Sequence, residues 1–162
     1  MVKIFGIVLV GLAVVFLIRR AKQASLVAEI NRDAGREFLK NNALQEGVNS
    51  ADSGLQWKVL EASDEIEKPG DKSGVKVHYE GRLIDGTIFD SSIENNTPMS
   101  FYLDQVVGGW SEGLQLMSKG EKVRLFFSSE LGYGNQKVGD IPPGSTLIFD
   151  VELIEIYPPR DA

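Results

Sequence analysis

Two polar side chains, Asp90 and Tyr133, stand where they could act on a bound ligand. Asp90 follows Phe89 at the end of a predicted strand, so its carboxylate is expected at the rim of a pocket, held by hydrogen bonds. Tyr133 stands between two glycines in a predicted loop, from which its phenol would reach over such a pocket. Each also has a plainer interpretation, Asp90 as the cap of a turn and Tyr133 as a loop aromatic, and the residues alone leave both open.

Cysteine and histidine chemistry is nearly absent from the chain. There is no Cys, which excludes disulfides, thiolate catalysis and thiolate metal sites. The single His78 lies between Val77 and Tyr79, which share the inward face of a predicted strand, so we expect it to point to solvent. One histidine without a Cys forms neither a catalytic triad nor a metal ligand set. The sequence therefore predicts a site with no metal and no cofactor.

A short helix around Trp110 is the element that would carry a pocket. Its apolar residues fall at i, i+3, i+4 and i+7: Trp110, Gly113, Leu114 and Met117. The helix has only about two turns and would not be stable alone in water, so it must lie on something larger. The indole of Trp110 either floors an apolar pocket or is an ordinary core side chain.

The sequence around this helix predicts β-strands. Apolar residues alternate with polar ones near residues 55–59, 75–79, 123–127 and 147–153, and a further short strand is expected at 100–104. Asp85 and Gly86 form a two-residue hairpin signature between Ile84 and Thr87. Strands joined by hairpins, with one inserted helix, predict an α+β fold with an antiparallel sheet and the helix on one face.

The first 20 residues have a different composition. Residues 4–18 contain no polar side chain and would span about 22 Å as a helix, at 1.5 Å per residue. A hydrocarbon core is ~30 Å thick, but snorkelling of Lys3 and Arg19 and mild thinning of the bilayer make up the difference. We therefore predict a transmembrane helix that anchors the chain through residues 1–20, with a cleaved signal peptide as the alternative.

A second helix, amphipathic, is predicted over residues 21–46. Its apolar stripe recurs every four residues and is widened by two neighbours: Leu26, Ile30, Ala34 and Phe38, with Val27 and Leu39. This face would pack either on the following domain or on a second copy of the chain, giving a homodimer through residues 25–43. Residues 47–54, rich in Asn, Ser, Asp and Gly, are the predicted linker to a domain over residues 55–157.

The charge distribution excludes one class of partner. The chain has a net charge of −6, yet residues 1–24 hold four basic and no acidic side chains. The rest of the chain is therefore strongly acidic and would repel a phosphate backbone. We predict no binding to nucleic acid.

Five stretches, taken together and in this order, resemble the FKBP-type peptidyl-prolyl cis-trans isomerases. They are VHYEG at 77–81, DGTIFDSS at 85–92, VVGGW at 106–110, LGYG at 131–134, and IPP at 141–143 leading to LIFDVEL at 147–153. Stretches around residues 38–60 resemble the bacterial macrophage-infectivity-potentiator-like branch, in which a helical N-terminal segment precedes the isomerase domain and often dimerises it.

The resemblance implies a half-barrel sheet wrapped around the Trp110 helix, with an apolar pocket between them. It assigns catalytic roles to Asp90, Phe89, Tyr133 and Trp110. It assigns substrate contacts to Tyr79, Val106, Val107, Ile141, Phe149 and Met99. Against the commoner family pattern, Met99 replaces a frequent aromatic, Gly108 replaces a longer polar residue, and Asp140 replaces an apolar residue in a loop that is one residue short.

The implied activity is rotation of X–Pro peptide bonds during protein folding, without a covalent intermediate. Amide resonance sets a barrier of ~18–20 kcal/mol, and an apolar box around Trp110, Phe89 and Phe149 would lower it by stripping water from the imide carbonyl. The Ile141 backbone N–H is expected to hold the substrate. The implied partners are proline-containing segments of unfolded or nascent proteins, and the macrolide ligands of the family.

Two alternatives to catalysis stay open: a non-catalytic membrane-tethered chaperone, and a membrane-tethered interaction module that binds unfolded clients. Lys3 and the α-amine precede the predicted span and three basic residues follow it, and this count of two positive charges against three leans toward a cytoplasmic domain. A short basic N-terminus before an apolar segment is, however, typical of export, and the resembled branch is mostly exported. We predict a single-pass inner-membrane protein whose domain faces the periplasm, with a cytoplasm-facing domain and secretion after signal cleavage as alternatives.

Overall fold

The computed structural model describes residues 2–160, with side chains from residue 16 onward. The helices and strands follow in chain order: α1 (Val2–Asn42), β1 (Asn49–Ser50), β2 (Gln56–Glu61), β3 (Gly74–Leu83), β4 (Ile88–Ser91), β5 (Met99–Tyr102), α2 (Gly108–Leu116), β6 (Lys122–Phe127) and β7 (Leu147–Tyr157). Short 3-10 helices occupy Leu103–Gln105 and Ser129–Leu131.

The strands form one antiparallel sheet in the order β1-β2-β6-β7-β3-β4, with β5 also paired to β3. The first half of β3 pairs with β5 and the second half with β4, so the sheet divides along one edge of β3. The long strands β3 and β7 pair over their whole length and form the centre of the sheet. The predicted antiparallel α+β fold is confirmed.

α2 lies on the sheet as the sequence predicted, with Trp110 and Leu114 buried against it. The approach to β6 is close: a Cβ at Gly109 would lie 2.4 Å from the ring of Phe127. Only glycine fits there, because the ring belongs to the packed core and cannot move aside. The helix begins at Gly108, two residues before the predicted start of the apolar stripe.

The predicted membrane anchor is wrong. Among the residues that the structure describes, no helix is long and apolar enough to cross a membrane. Charged residues recur along α1 from Arg19 to Lys40, with no long apolar run between them. The side chains of residues 1–15, on which most of the predicted span 4–18 falls, lie outside the described residues. The predicted inner-membrane location with a periplasm-facing domain depended on that span and is wrong with it.

α1 is one helix where the sequence predicted two segments, and its C-terminal part packs on the domain. Ala28 is 1% exposed, and the ring of Phe38 lies 6.2 Å from that of Phe126 between centroids. Leu26 and Ile30, the start of the predicted apolar stripe, are instead 56% and 57% exposed. The packed face therefore includes Phe38 of the predicted stripe but is turned away from Leu26 and Ile30. A homodimer through residues 25–43 stays a prediction.

Polar contacts complete this packing at the end of α1. The buried Gln56 side chain accepts a hydrogen bond from Asn42 Nδ2 at 2.8 Å and donates one to the Leu39 carbonyl at 2.9 Å. The predicted linker is part of the same arrangement, because β1 lies within it and pairs with β2. We call residues 28–42 the docked segment of α1.

Candidate functional site

A cavity of about 440 Å³ opens between α2, the sheet and the loop before β7. Nine of the ten residues that the sequence predicted for the site line it. The full lining is Tyr79, Phe89, Asp90, Phe101, Gln105, Val106, Val107, Trp110, Tyr133, Val138, Gly139, Asp140, Ile141 and Phe149.

Trp110 forms the floor of the cavity and is 5% exposed. Three rings meet the indole edge to face, with centroids at 5.2 Å for Tyr79, 5.4 Å for Phe101 and 5.3 Å for Phe149. Each ring comes from a different strand, respectively β3, β5 and β7. Edge-to-face pairs at this spacing are favourable beyond the area they bury, so the rings hold one another in place. We call these four residues with Phe89 the aromatic box.

Phe89 reaches the box because β3 carries a glycine, Gly81, where the ring of Phe89 lies. Its ring lies 5.4 Å from that of Phe149 between centroids. A Cβ at Gly81 would lie 2.6 Å from both rings, which is too close for any side chain. The sequence showed Gly81 as part of a family motif, but only the structure shows that it makes room for the two rings.

Asp90 and Tyr79 form the polar part of the site. The Tyr79 O–H donates to Asp90 Oδ2 at 2.5 Å, and Asp90 itself lies exposed at the rim, as predicted. Burial raises the pKa of Tyr79 well above its usual value, and the hydrogen bond to Asp90 and its charge raise it further. Tyr79 therefore stays a hydrogen-bond donor at any physiological pH and fixes one oxygen of the carboxylate.

Ser92 holds the end of β4 against β3 and so places Phe89 and Asp90. Its buried hydroxyl accepts a hydrogen bond from the Tyr79 backbone N–H at 2.8 Å. His78 Nδ1 lies 3.0 Å from the same hydroxyl, and the imidazole is half-buried rather than fully exposed as the sequence suggested. Among the described residues, no group of three or more His, Asp or Glu side chains could hold a metal ion.

Met99 is the one predicted site residue that the structure places outside the cavity. Its side chain is 41% exposed, and Phe101, two residues further along β5, lines the cavity instead. Sequence reasoning missed Phe101. The two-residue period of a strand places Phe101 on the same face as Met99 but does not tell which of the two lies deeper.

The backbone N–H that the sequence predicted to hold substrate has a partner within its own loop. The Ile141 N–H, expected to hold substrate, donates to the Val138 carbonyl at 2.9 Å, and the Val138 N–H donates back to Ile141 at 3.1 Å. Val107, by contrast, caps the N-terminus of α2, where backbone N–H groups lack partners within the helix. Among the hydrogen bonds of the described residues none has the Val107 N–H as its donor, and Val107 lines the cavity.

Comparison with known proteins agrees with this geometry. Residues 65–154 match the family model described as FKBP-type peptidyl-prolyl cis-trans isomerase, and residues 13–59 match the model of the domain amino terminal to it. The chain is 46% identical over 136 residues to the probable FKBP-type peptidyl-prolyl cis-trans isomerase FkpA of Neisseria meningitidis, covering 83% of this chain and 50% of that protein. It is 40% identical over 139 residues to the outer membrane protein MIP of Legionella longbeachae, covering 85% and 59%.

A solved structure shows the same similarity. The crystal structure of FkpA from Escherichia coli superposes with a TM-score of 0.82 at 39% sequence identity, covering 92% of this chain and 72% of that one. The chain spans about half the length of the first curated relatives it matches.

Proposed function

The chain belongs to the FKBP-type peptidyl-prolyl cis-trans isomerases, and on that premise we propose that it rotates X–Pro peptide bonds in the cavity beside α2. The observation that carries the proposal is the aromatic box, a buried indole enclosed by rings from separate strands, with its polar groups confined to the rim. Such a site suits a reaction that needs neither a nucleophile nor a proton transfer.

Desolvation is the source of catalysis in this proposal. The barrier to rotation, ~18–20 kcal/mol, comes from amide resonance, which places negative charge on the carbonyl oxygen and gives the C–N bond double-bond character. Water stabilises that charge-separated form. Inside the aromatic box the imide carbonyl loses its water, so the planar form is destabilised relative to the twisted one. Proline fits such a box because it has no backbone N–H to leave unsatisfied.

The polar groups at the rim hold the peptide on either side of the proline. The Val107 N–H donates to a carbonyl of the bound peptide, replacing the role that the sequence assigned to Ile141. Asp90, fixed by Tyr79, accepts from a peptide N–H. Tyr133 lies on the loop that faces Asp90 across the opening and contacts the flanking residues. The substrates are proline-containing segments of unfolded or nascent proteins, and macrolide binding stays a prediction.

Isomerisation of a short X–Pro peptide by the full chain tests the proposal. Uncatalysed relaxation takes roughly tens to hundreds of seconds, so acceleration by catalytic amounts of protein is easily measured, for example by exchange spectroscopy in NMR. Acceleration that saturates with peptide supports catalysis. Binding of the peptide without acceleration would replace the proposal with the non-catalytic binding module.

A further inference from the structure

One wall of the cavity is a loop that α1 touches from behind. We call residues 133–146 the pocket loop; its inner side, from Tyr133 to Ile141, lines the cavity. Its outer side meets the docked segment of α1. Asn31 Nδ2 donates to the Pro143 carbonyl at 2.8 Å, and the Arg32 guanidinium donates to Asn135 Oδ1.

The pocket loop and α1 approach each other so closely that two of the contact positions have room only for glycine. A Cβ at Gly144, whose φ is +75°, would lie 2.2 Å from the Ala28 carbonyl oxygen. A Cβ at Gly35 would lie 2.1 Å from Thr146 Oγ1. Small residues on both partners therefore let the helix and the loop meet without intervening side chains. Ala28, Gly35 and Gly144 are all buried in this contact.

Helix α1 supports residues 135–143 from outside the loop, while the Gly134 N–H donates to the Ser129 carbonyl at 2.8 Å and the side chain of Ile141 is buried in the core. The base of the loop is closed by the Gly144 N–H donating to the Gly134 carbonyl at 2.8 Å, and the Val138–Ile141 pair closes its tip. Among the hydrogen bonds of the described residues, those that residues 135–143 make outside the loop go to Asn31 and Arg32. The sheet resumes its pairing only at Leu147.

We propose that Gly35 and Asn31 are positioning residues for the isomerase site: the docked segment of α1 holds the pocket loop at its working distance from the aromatic box. The proposal rests on the proposed function. Because the box is built from strands and α2, it does not depend on α1 in the same way. Loosening the helix from the loop therefore weakens the contacts between the pocket loop and the substrate residues that flank the proline. The desolvated box stays intact, so KM rises more than kcat falls.

Gly35→Ala is the decisive variant. Alanine favours a helix more than glycine, so the change stabilises α1 by itself, while the new methyl group collides with Thr146. We expect KM for an X–Pro peptide to rise about fivefold with kcat within about twofold, short of the ~100-fold that a 1 Å misplacement at the reacting bond can cost. Amide hydrogen exchange at Val138 and Ile141 should speed up. Asn31→Ala should give the same pattern, at about two- to threefold in KM, because it removes a single hydrogen bond.

Two further variants separate positioning from general stability. Glu37→Ala places an alanine on the exposed face of α1, away from the loop, and should leave KM and the loop exchange rates unchanged. Thr146→Ala combined with Gly35→Ala removes the colliding hydroxyl and should restore KM. Because removing the collision would also restore a merely weakened fold, the free energy of unfolding is measured for each variant, and a KM that rises with little change in kcat and follows the exchange at Val138 and Ile141 identifies positioning.

The outcomes distinguish this inference from the function on which it rests. Unchanged KM and unchanged exchange at Val138 and Ile141 in both Gly35→Ala and Asn31→Ala overturn the positioning role. A wild-type chain without isomerase activity overturns the proposed function instead, and the exchange rates then decide the positioning role by themselves. If Gly35→Ala fails to fold, Asn31→Ala carries the test.

Discussion

The two sides of the cavity are built in different ways. The aromatic box is held by ring contacts between β3, β4, β5, β7 and α2, and each of its rings except Phe89 meets at least two others. The pocket loop is held by hydrogen bonds within itself and to Ser129, by the burial of Ile141, and by α1 through a contact between residues 112 positions apart in the chain. The side that we propose to rotate the bond is thus fixed by the sheet, while the side proposed to meet the flanking residues also depends on a distant helix. We therefore expect changes in the aromatic box to act mainly on rate and changes at the pocket loop to act mainly on substrate binding.

Trp110→Ala is expected to have the largest effect, because it removes the floor that the other rings pack upon. The free energy of unfolding should fall by ~3–5 kcal/mol, and kcat/KM of the remaining folded protein by ~100-fold or more. Chemical unfolding and peptide isomerisation measure the two effects. The matched control is Trp57→Ala, an indole on β2 that does not line the cavity. It should cost stability without a comparable loss of kcat, and equal losses in both variants would show that the box has no special role.

Gly81→Ala tests the box without removing any of its rings. The new methyl group would meet Phe89 and Phe149 at 2.6 Å, and overpacking of this kind costs ~1–3 kcal/mol. We expect kcat to fall about tenfold while KM changes little, the reverse of the pattern expected for Gly35→Ala, because a displaced box loses its complementarity to the twisted bond. Gly70→Ala, where a Cβ finds ordinary space, is the control. A rise in KM that exceeds the fall in kcat would contradict the different roles assigned to the aromatic box and the pocket loop.

Tyr79→Phe should have a moderate effect, since it releases the Asp90 carboxylate but keeps the ring on Trp110. Activity should fall about three- to fivefold, as expected for one hydrogen bond to a charged group that water partly replaces. Wild-type activity should be flat between pH 6 and 8, and a bell-shaped profile there would require a titrating acid or base that the box does not supply.

The Tyr79–Asp90 pair should make the stability of the folded protein fall at alkaline pH. Because burial raises the pKa of Tyr79 above its ordinary value of 10.0, the contribution of the neutral phenol is complete below that value and is lost as the pH rises through the folded-state pKa. Wild-type protein should therefore lose stability above pH 10 more steeply than Tyr79→Phe. Parallel alkaline unfolding curves for the two proteins would contradict this.

Met99→Ala should have the smallest effect on activity, within about twofold, as for other surface substitutions. The structure places Met99 outside the cavity and Phe101 against Trp110. Phe101→Ala should accordingly reduce kcat/KM by clearly more than Met99→Ala in the same assay. The opposite order would return Met99 to the site where the family resemblance had placed it.

Local patterns in the sequence predicted the box well. The strand alternation and the i, i+3, i+4, i+7 stripe of α2 record which side chains face inward, because both periods follow directly from backbone geometry. The family motifs then placed Phe89, Asp90 and Phe149. The prediction failed where it chose Met99 rather than Phe101 as a site residue, because the strand period alone does not tell which of two residues on one face lies deeper.

The predicted packing face of the N-terminal helix was wrong for a different reason. The stripe through Leu26 and Ile30 is apolar and periodic, yet the face that packs on the domain carries Ala28 and Gly35. Close packing of backbones selects small residues, which leave no hydrophobic signal in a sequence. The bond from the Ile141 N–H to Val138 likewise follows from the shape of a loop, which residue types alone do not reveal.

The contact between Asn31 and Pro143 also sets an order of assembly. Bringing together groups 112 positions apart carries a large loop-closure entropy, and contacts of such sequence separation are slow to form. During synthesis α1 emerges well before the pocket loop that it supports. The wall that the proposed function places against the substrate is therefore complete only after residues 133–146 have been synthesised and α1 has docked on them.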